Sequence, residues 1–209
     1  ITIYNLLTHT SGLPSDIYDY KQLCRDKKDI IKTVFTTKLE YETGKKVLYS
    51  DIGYILLGLI IEKIVGPIDV YFNENIAKPL NMQDTCFNPL NNVKARCVPT
   101  EYTDFRGYIK GTVHDGKAYK LLGVSGHAGL FSTVKDLGNF CEMLLNNGIF
   151  NEKRILSKNS INMIMANNTE GLNEKRGLGW QLKNNLDSIN CMGDLASNKS
   201  IFHTGFTGT

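Results

Sequence analysis

Tyr49-Ser50-Asp51-Ile52-Gly53-Tyr54-Ile55-Leu56-Leu57-Gly58-Leu59-Ile60-Ile61-Glu62-Lys63-Ile64-Val65-Gly66-Pro67 is the most strongly patterned stretch of the chain. Ile52, Ile55, Leu56, Leu59, Ile60 and Ile64 recur at the helical period. Ser50 or Asp51 can cap the helix start, because a short side-chain oxygen accepts from a first-turn N–H that has no other partner. Gly66-Pro67 closes the helix, since glycine accepts the backbone turn and proline cannot continue it. A helix apolar nearly all round is expected at the centre of a core. Its apolar run from Ile52 to Ile61 stops at Glu62, short of the roughly 18 residues a bilayer span needs. It reads as a core helix and not a membrane anchor.

Working outward, Ile3 to Leu7 reads as a short helix capped by Thr2 and ended by Ser11-Gly12-Leu13-Pro14. Ile30, Ile31, Val34 and Phe35 place a second helix over Asp29 to Phe35. Pro67 opens a further helix through about Ala77, and Pro79-Leu80-Asn81-Met82 breaks it. Short extended pieces with turn signals follow between Thr85 and Thr112. A glycine-rich segment, Gly123 to Leu130, leads into a helix with Ser132 as N-cap that runs to about Asn146 and stops at Asn147-Gly148. Ser157 to Ala166 is a further helix, and Gly177 to Leu182 and Ser200 to His203 read as strands. The whole is one α+β domain, with residues to about 170 mainly helical and 171–209 returning as strands.

Composition narrows the function classes. Among 209 residues, 24 Lys and Arg against 21 Asp and Glu give a net charge of +3, too little for a nucleic-acid footprint. Hydrophobic residues at 42% and charged residues at 22% exclude disorder, collagen and coiled coil as global descriptions. Cys24, Cys86, Cys97, Cys141 and Cys191 are widely spaced, odd in number and lack a CxxC pair, so they read as thiols and not as a disulfide framework or zinc knuckle. Ile1 opens no basic and apolar leader, and Gly208-Thr209 falls within an apparent strand and turn, so both ends read as cut. The compartment and the oligomeric state stay open.

Three segments carry chemistry-bearing residues. In Tyr49-Ser50-Asp51 a phenol stands at a helix N-terminus, where unpaired N–H groups favour an anion and could bring a group with a reference pKa of about 10 into proton transfer. The blander account is a packed tyrosine beside a cap. In His203-Thr204-Gly205 an imidazole, a hydroxyl and a residue without a side chain would let a substrate carboxylate lie against a strand end; such a tripeptide alone is a weak signal. The third segment, Gly126 to Thr133, reads as structural, its glycines allowing close backbone approach. His9, His114 and His127 have no HxxxH or HxH spacing, so no metal and no organic cofactor is expected. Trp180 reads as a core residue near the cleft, and the sequons at Asn167 and Asn198 carry little.

Taken in order, Leu6-Leu7-Thr8-His9-Thr10-Ser11-Gly12-Leu13, Tyr49-Ser50-Asp51 with Gly53-Tyr54-Ile55-Leu56-Leu57-Gly58, Pro79-Leu80-Asn81-Met82-Gln83-Asp84-Thr85, His127-Ala128-Gly129-Leu130-Phe131-Ser132-Thr133 and His203-Thr204-Gly205-Phe206-Thr207-Gly208-Thr209 resemble one family. The chain is similar from end to end to the serine β-lactamase and penicillin-binding-protein superfamily, in its class C-like branch with related esterases and D-amino-acid peptidases. The resemblance implies a β-lactamase/transpeptidase-like fold and acyl transfer through a serine. It makes Tyr49, Asp51 and His203 catalytic candidates and Ser50, Thr204 and Gly205 substrate-binding candidates. Asp51 stands where asparagine is commoner, and Ser50-Asp51 also approaches a Ser-Asp-Asn motif that Ile52 breaks. The family's Ser-x-x-Lys nucleophile would precede Leu6, that is, before Ile1. Ser132-Thr133-Val134-Lys135 has that spacing and Thr43-Gly44-Lys45-Lys46 nearly so, but Ser132 follows Tyr49 and falls in the structural turn.

His203 in place of lysine changes the expected preference, because an imidazole with a reference pKa of about 6.5 holds a carboxylate less well above that pH. β-Lactam hydrolysis is expected to be weak, with esters or D-amino-acid peptides, including peptidoglycan-like peptides, as better substrates. The rival readings are a non-catalytic module of the same fold that binds cell-wall peptides, and a structural piece whose motifs are only caps and turns.

Overall fold

The computed structural model describes residues 1–183, 192, 193 and 195–207. The thiol of Cys191 and the Gly208-Thr209 end of the strand motif lie outside the described residues. In chain order the helices are α1 (Ile3–Leu7), α2 (Tyr20–Leu23), α3 (Lys27–Thr36), α4 (Asp51–Val65) and α5 (Ile68–Phe72), which runs on into a π-turn over Asn73–Ala77. Then come β1 (Cys86–Phe87), α6 (Asn91–Lys94), β2 (Glu101–Thr103), β3 (Gly107–Ile109), α7 (Gly116–Lys120), β4 (Leu130–Phe131) and α8 (Val134–Leu145). The chain continues through β5 (Ile149–Phe150), β6 (Lys153–Arg154), α9 (Lys158–Met165), β7 (Gln181–Leu182) and β8 (Ile201–Phe202). The strands pair antiparallel as β1 with β4, β2 with β3, β5 with β6, and β7 with β8. This is the mixed α+β arrangement expected, with small antiparallel ladders among helices.

Local chemistry explains most boundaries. Thr2 accepts from the Asn5 N–H while the Asn5 side chain bonds back to the Thr2 backbone, a reciprocal cap for α1. The helix expected from Asp29 starts at Lys27 because Asp26 accepts from the N–H groups of Lys28 and Asp29. The cap of α8 is Thr133, which accepts from the Asp136 N–H, and not Ser132. Ser132 is one residue too early; its hydroxyl bonds that of Thr85 at 2.8 Å. The short helices α2 and α6 carry no side-chain cap and no long apolar period, so they left no clear trace in the sequence.

Two apolar clusters fill the interior. The first joins Leu6 of α1, Leu13, Ile17, Cys24, Ile30 and Val34 of α3, and Ile52, Ile55 and Leu57 of α4. The second joins Ala77, Leu80, Met82, Met143 and Leu144 of α8, Phe150 and Ile161 of α9, with Trp180 and Ile201 packed against it. Trp180 stacks on Phe140 at 6.4 Å between ring centroids. The α4 helix is central only over its first turns. Ile64 is 73% exposed, and Ile61, Ile64, Val65, Ile68 and Phe72 border a groove of about 590 Å³ against Gly126 to Leu130.

Where α4 meets the glycine-rich segment, backbones come together too closely for side chains. A Cβ on Gly126 would stand 2.1 Å from the carbonyl oxygen of Tyr54, and one on Gly58 would stand 2.7 Å from the Gly126 nitrogen. That contact seats Ser125 and His127 beside the first half of α4.

Candidate active site

The site begins with the cap of α4. Ser50 is 1% exposed; its Oγ accepts from the Gly53 N–H at 3.2 Å and donates to the Pro14 carbonyl at 2.5 Å. Its hydroxyl hydrogen is therefore committed to the Pro14 carbonyl and one lone pair to the helix start, inside the fold and away from the surface. Tyr49, just outside the cap, projects its ring to the surface and is 42% exposed. Its hydroxyl donates to Asp51 Oδ1 at 3.0 Å.

His9 supports this phenol from beneath. Its ring lies 4.7 Å from that of Tyr49 and 4.8 Å from that of Tyr54. The Ser50 N–H donates to His9 Nδ1 at 3.0 Å and the Leu48 N–H donates to the His9 carbonyl at 2.9 Å. An accepting Nδ1 places the proton of the neutral ring on Nε2. Burial, with the charges of Arg176 and His203, lowers the His9 pKa to about 3, so the ring is uncharged at neutral pH. Its φ of 57° is left-handed, a conformation rare for a residue with a side chain and held here by these bonds. In the sequence His9 stands within the Leu6 to Leu13 segment of the family resemblance and among the histidines weighed as metal ligands, with no role of its own; the polar run Thr8-His9-Thr10-Ser11 behind apolar Leu6-Leu7 is the signal that marks it.

The end of β8 completes the site. The His203 ring lies 6.0 Å from that of Tyr49, and its Nδ1 is 2.8 Å from the Thr204 carbonyl. His203, Thr204 and Gly205 are exposed. The structure thus brings Tyr49, Asp51 and His203 together, with Thr204 and Gly205 open to solvent beside them and Ser50 inside.

The electrostatics correct one expectation. Burial pushes the Tyr49 phenol above the ordinary tyrosine range, the Asp51 charge and hydrogen bond add to the rise, and the Arg176 charge only opposes it. The phenol is therefore protonated and a donor, not an anion favoured by helix N–H groups. Tyr49 lies outside the first turn, whose N–H of Gly53 is taken by Ser50, and the nearest full charge to it is a carboxylate. Behind it, burial likewise pushes Tyr54 up to about 12; its hydroxyl donates to the Leu7 carbonyl at 3.0 Å.

Deeper still, Asp51 Oδ2 is 3.2 Å from the buried Lys117 ammonium, which also bonds Asp16 and Asp115. His127 bridges Asp115 Oδ1 through Nε2 at 2.9 Å and the Ser125 hydroxyl through Nδ1 at 2.8 Å. Burial works against the Asp115 carboxylate, yet the His127 hydrogen bond and charge, Lys117 and the Ala118 N–H hold its pKa well below the usual range. Asp51, Asp115 and His127 are the three-residue group among the described residues with donor atoms within 4.8 Å of one another. The Lys117 ammonium already bonds both of these carboxylates, so the centre is built as an ion-pair network.

A family model described as Beta-lactamase matches residues 1–209. The chain belongs to the β-lactamase family. It is 35% identical over 233 residues to a protein named "Putative D-alanyl-D-alanine carboxypeptidase" of Escherichia coli O157:H7, covering 100% of this chain and 53% of that relative. It is 34% identical over 232 residues to an N-acetylmuramyl-L-alanine amidase of Bacillus subtilis, covering 100% and 52% respectively. This family member therefore spans about half the length of the curated relatives it matches. Its fold is similar to the penicillin binding protein of Bacillus halodurans, with a TM-score of 0.65, 19% identity, and coverage of 88% of this chain and 56% of that one. The β-lactamase/transpeptidase-like fold expected from the motif order is the fold found.

Proposed function

We propose that the intact protein is a serine hydrolase of the β-lactamase family that cleaves D-amino-acid peptides of the peptidoglycan type, or related esters, through an acyl-enzyme. The carrying observation is the meeting of the Tyr49 phenol, already hydrogen-bonded to Asp51, with the His203 ring at 6.0 Å. The relatives' names, one referring to a carboxypeptidase and one to an amidase, support a peptide or amide substrate. The nucleophile is assigned to a Ser-x-x-Lys motif outside residues 1–209, since Ser132, which has that spacing, follows Tyr49 in the chain and lies just ahead of the α8 cap with its hydroxyl bonded to that of Thr85.

As the serine Oγ attacks the carbonyl carbon, its proton passes to the Tyr49 oxygen while the Tyr49 proton passes to Asp51 Oδ1. When the C–N or C–O bond breaks, both transfers reverse and the leaving group departs protonated. Water then enters by the same relay and releases the acid. His203 and Thr204 orient the substrate carboxylate, and Gly205 lets the substrate backbone approach the strand end.

The test is labelling of the intact protein with a penicillin or fluorophosphonate probe, read by mass, together with hydrolysis of an acyl-D-alanyl-D-alanine peptide. Tyr49→Phe should cut kcat by about a hundredfold or more, the usual yield of a proton-transfer group. A protein that neither labels nor hydrolyses, or a Tyr49→Phe variant with full turnover, sinks the proposal.

A further inference from the structure

Lys117 is a single cation amid carboxylates. Its side chain is 4% exposed, with Nζ 2.9 Å from Asp16 Oδ1, 3.2 Å from Asp51 Oδ2 and 3.1 Å from Asp115 Oδ2. The ammonium donates to Asp115 Oδ2 and lies within ion-pair distance of the other two carboxylates. Asp51 is thereby gripped at both oxygens, by the Tyr49 hydroxyl at Oδ1 and by Lys117 at Oδ2.

Resting on the hydrolase reading, we infer that Lys117 is a positioning residue that pairs with the Asp51 carboxylate at Oδ2 and keeps Oδ1 aimed at the Tyr49 hydroxyl. An asparagine at position 51 would need no such cation. An aspartate there, 17% exposed in its side chain and facing Asp115 within the same cluster, does. Burial works against the charged ammonium, yet Asp115, Asp16 and Asp51 outweigh it and hold Lys117 above the ordinary lysine range.

All elements around the pair contribute charge. Lys117 is faced by Asp16, Asp51, Asp115 and the Tyr20 ring, 5.3 Å from its Nζ, and Arg106 acts on that tyrosine. Tyr49 is faced by Asp51, His9, His203 and Tyr54, with Arg176 acting on it at longer range. His127 joins from the far side through Asp115. Of these, Lys117 is the cation in contact with Asp51.

The test is the pH profile of kcat/KM of the intact protein on an acyl-D-alanyl-D-alanine peptide, for Lys117→Met, Lys117→Arg and Lys117→Met combined with Asp51→Asn. Lys117→Met should move the acidic limb up by about one pH unit or more, because losing the cation favours the protonated carboxyl. Lys117→Arg should restore most of the profile, and Lys117→Met should cause no such shift when Asp51→Asn is already present. A Lys117 that only supports folding would lower melting temperature without moving the limb; that result, or an equal shift in the Asp51→Asn background, overturns the assignment. Carboxyl-carbon NMR titration of Asp51 gives the same answer without turnover. Absence of hydrolysis by the unmodified protein would defeat the hydrolase reading, whereas an unmoved Asp51 titration in Lys117→Met would defeat the positioning role. If Lys117→Met fails to fold, Lys117→Gln, which keeps donors but no charge, carries the same readouts.

Discussion

Position 203 shows how one side chain can tune a shared scaffold. Its imidazole is exposed, close to the Tyr49 ring and hydrogen-bonded through Nδ1 to the next carbonyl. A lysine ammonium stays cationic through neutral pH, whereas the reference pKa of an imidazole, about 6.5, lies below it. His203→Lys in the intact protein should therefore raise cephalosporin turnover above about pH 7, where a permanent cation holds the β-lactam carboxylate. Steady-state rates for the two proteins at about pH 6 and 8 check this; unchanged or slower turnover in the lysine variant would refute the preference argued for peptides and esters. The residue scale is also where sequence reading was weakest. Tyr49 and Asp51 were legible as a motif, but the direction in which each moves the other's proton depends on the 3.0 Å bond between them.

At the scale of the element, the start of α4 shows how a cap becomes part of a site. Ser50 Oγ both accepts from Gly53 and donates to Pro14, tying α4 to the loop after α1. Ser50→Ala should cost about 1–2 kcal/mol, the cap alone supplying about 1. Denaturant unfolding measures that loss, and a variant within a few tenths of a kcal/mol of the parent would show that the two bonds are replaceable. The crossing of α4 by the glycine-rich segment is less forgiving. In Gly126→Ala the new Cβ meets the Tyr54 carbonyl oxygen at 2.1 Å, backbone that cannot swing aside. A loss of about 2–3 kcal/mol is expected from overpacking. The same shift should displace His127 from Asp115, so the variant's crystal structure is expected to show that 2.9 Å bond lengthened. Element boundaries are readable at Thr2, Ser50, Gly66 and Ser157, where a cap or a breaker adjoins a clear apolar period; the caps Asp26 and Asp115 do not announce the starts of α3 and α7 in the sequence, and α2 and α6 have no side-chain cap.

For the whole molecule, His9 links the site to stability. Its folded pKa of about 3 lies below the 6.5 of a free imidazole, so between those values the unfolded chain binds a proton that the native chain refuses. Stability therefore falls as pH drops from about 6.5 towards 3. The depressed Asp115 carboxyl works in a different window, its contribution being lost only as pH falls below the ordinary carboxylate range. Melting temperatures between about pH 6.5 and 4.5 should show the decline, and His9→Gln should flatten it over that interval. A variant with the parent's slope would assign the acid sensitivity elsewhere.

Periodicity, caps and motif order were enough to place the long helices, the α+β class and the family, because each rests on neighbours a few residues apart along the chain. Only the tertiary structure could join Lys117 to Asp51, seat His9 beneath Tyr49 and bring β8 beside both, since those contacts form between segments distant in sequence. Charge interactions depend on distance and burial in space, which residue order alone does not encode. The phenol that reads as an incipient anion at a helix start is therefore, once folded beside a carboxylate, a proton donor.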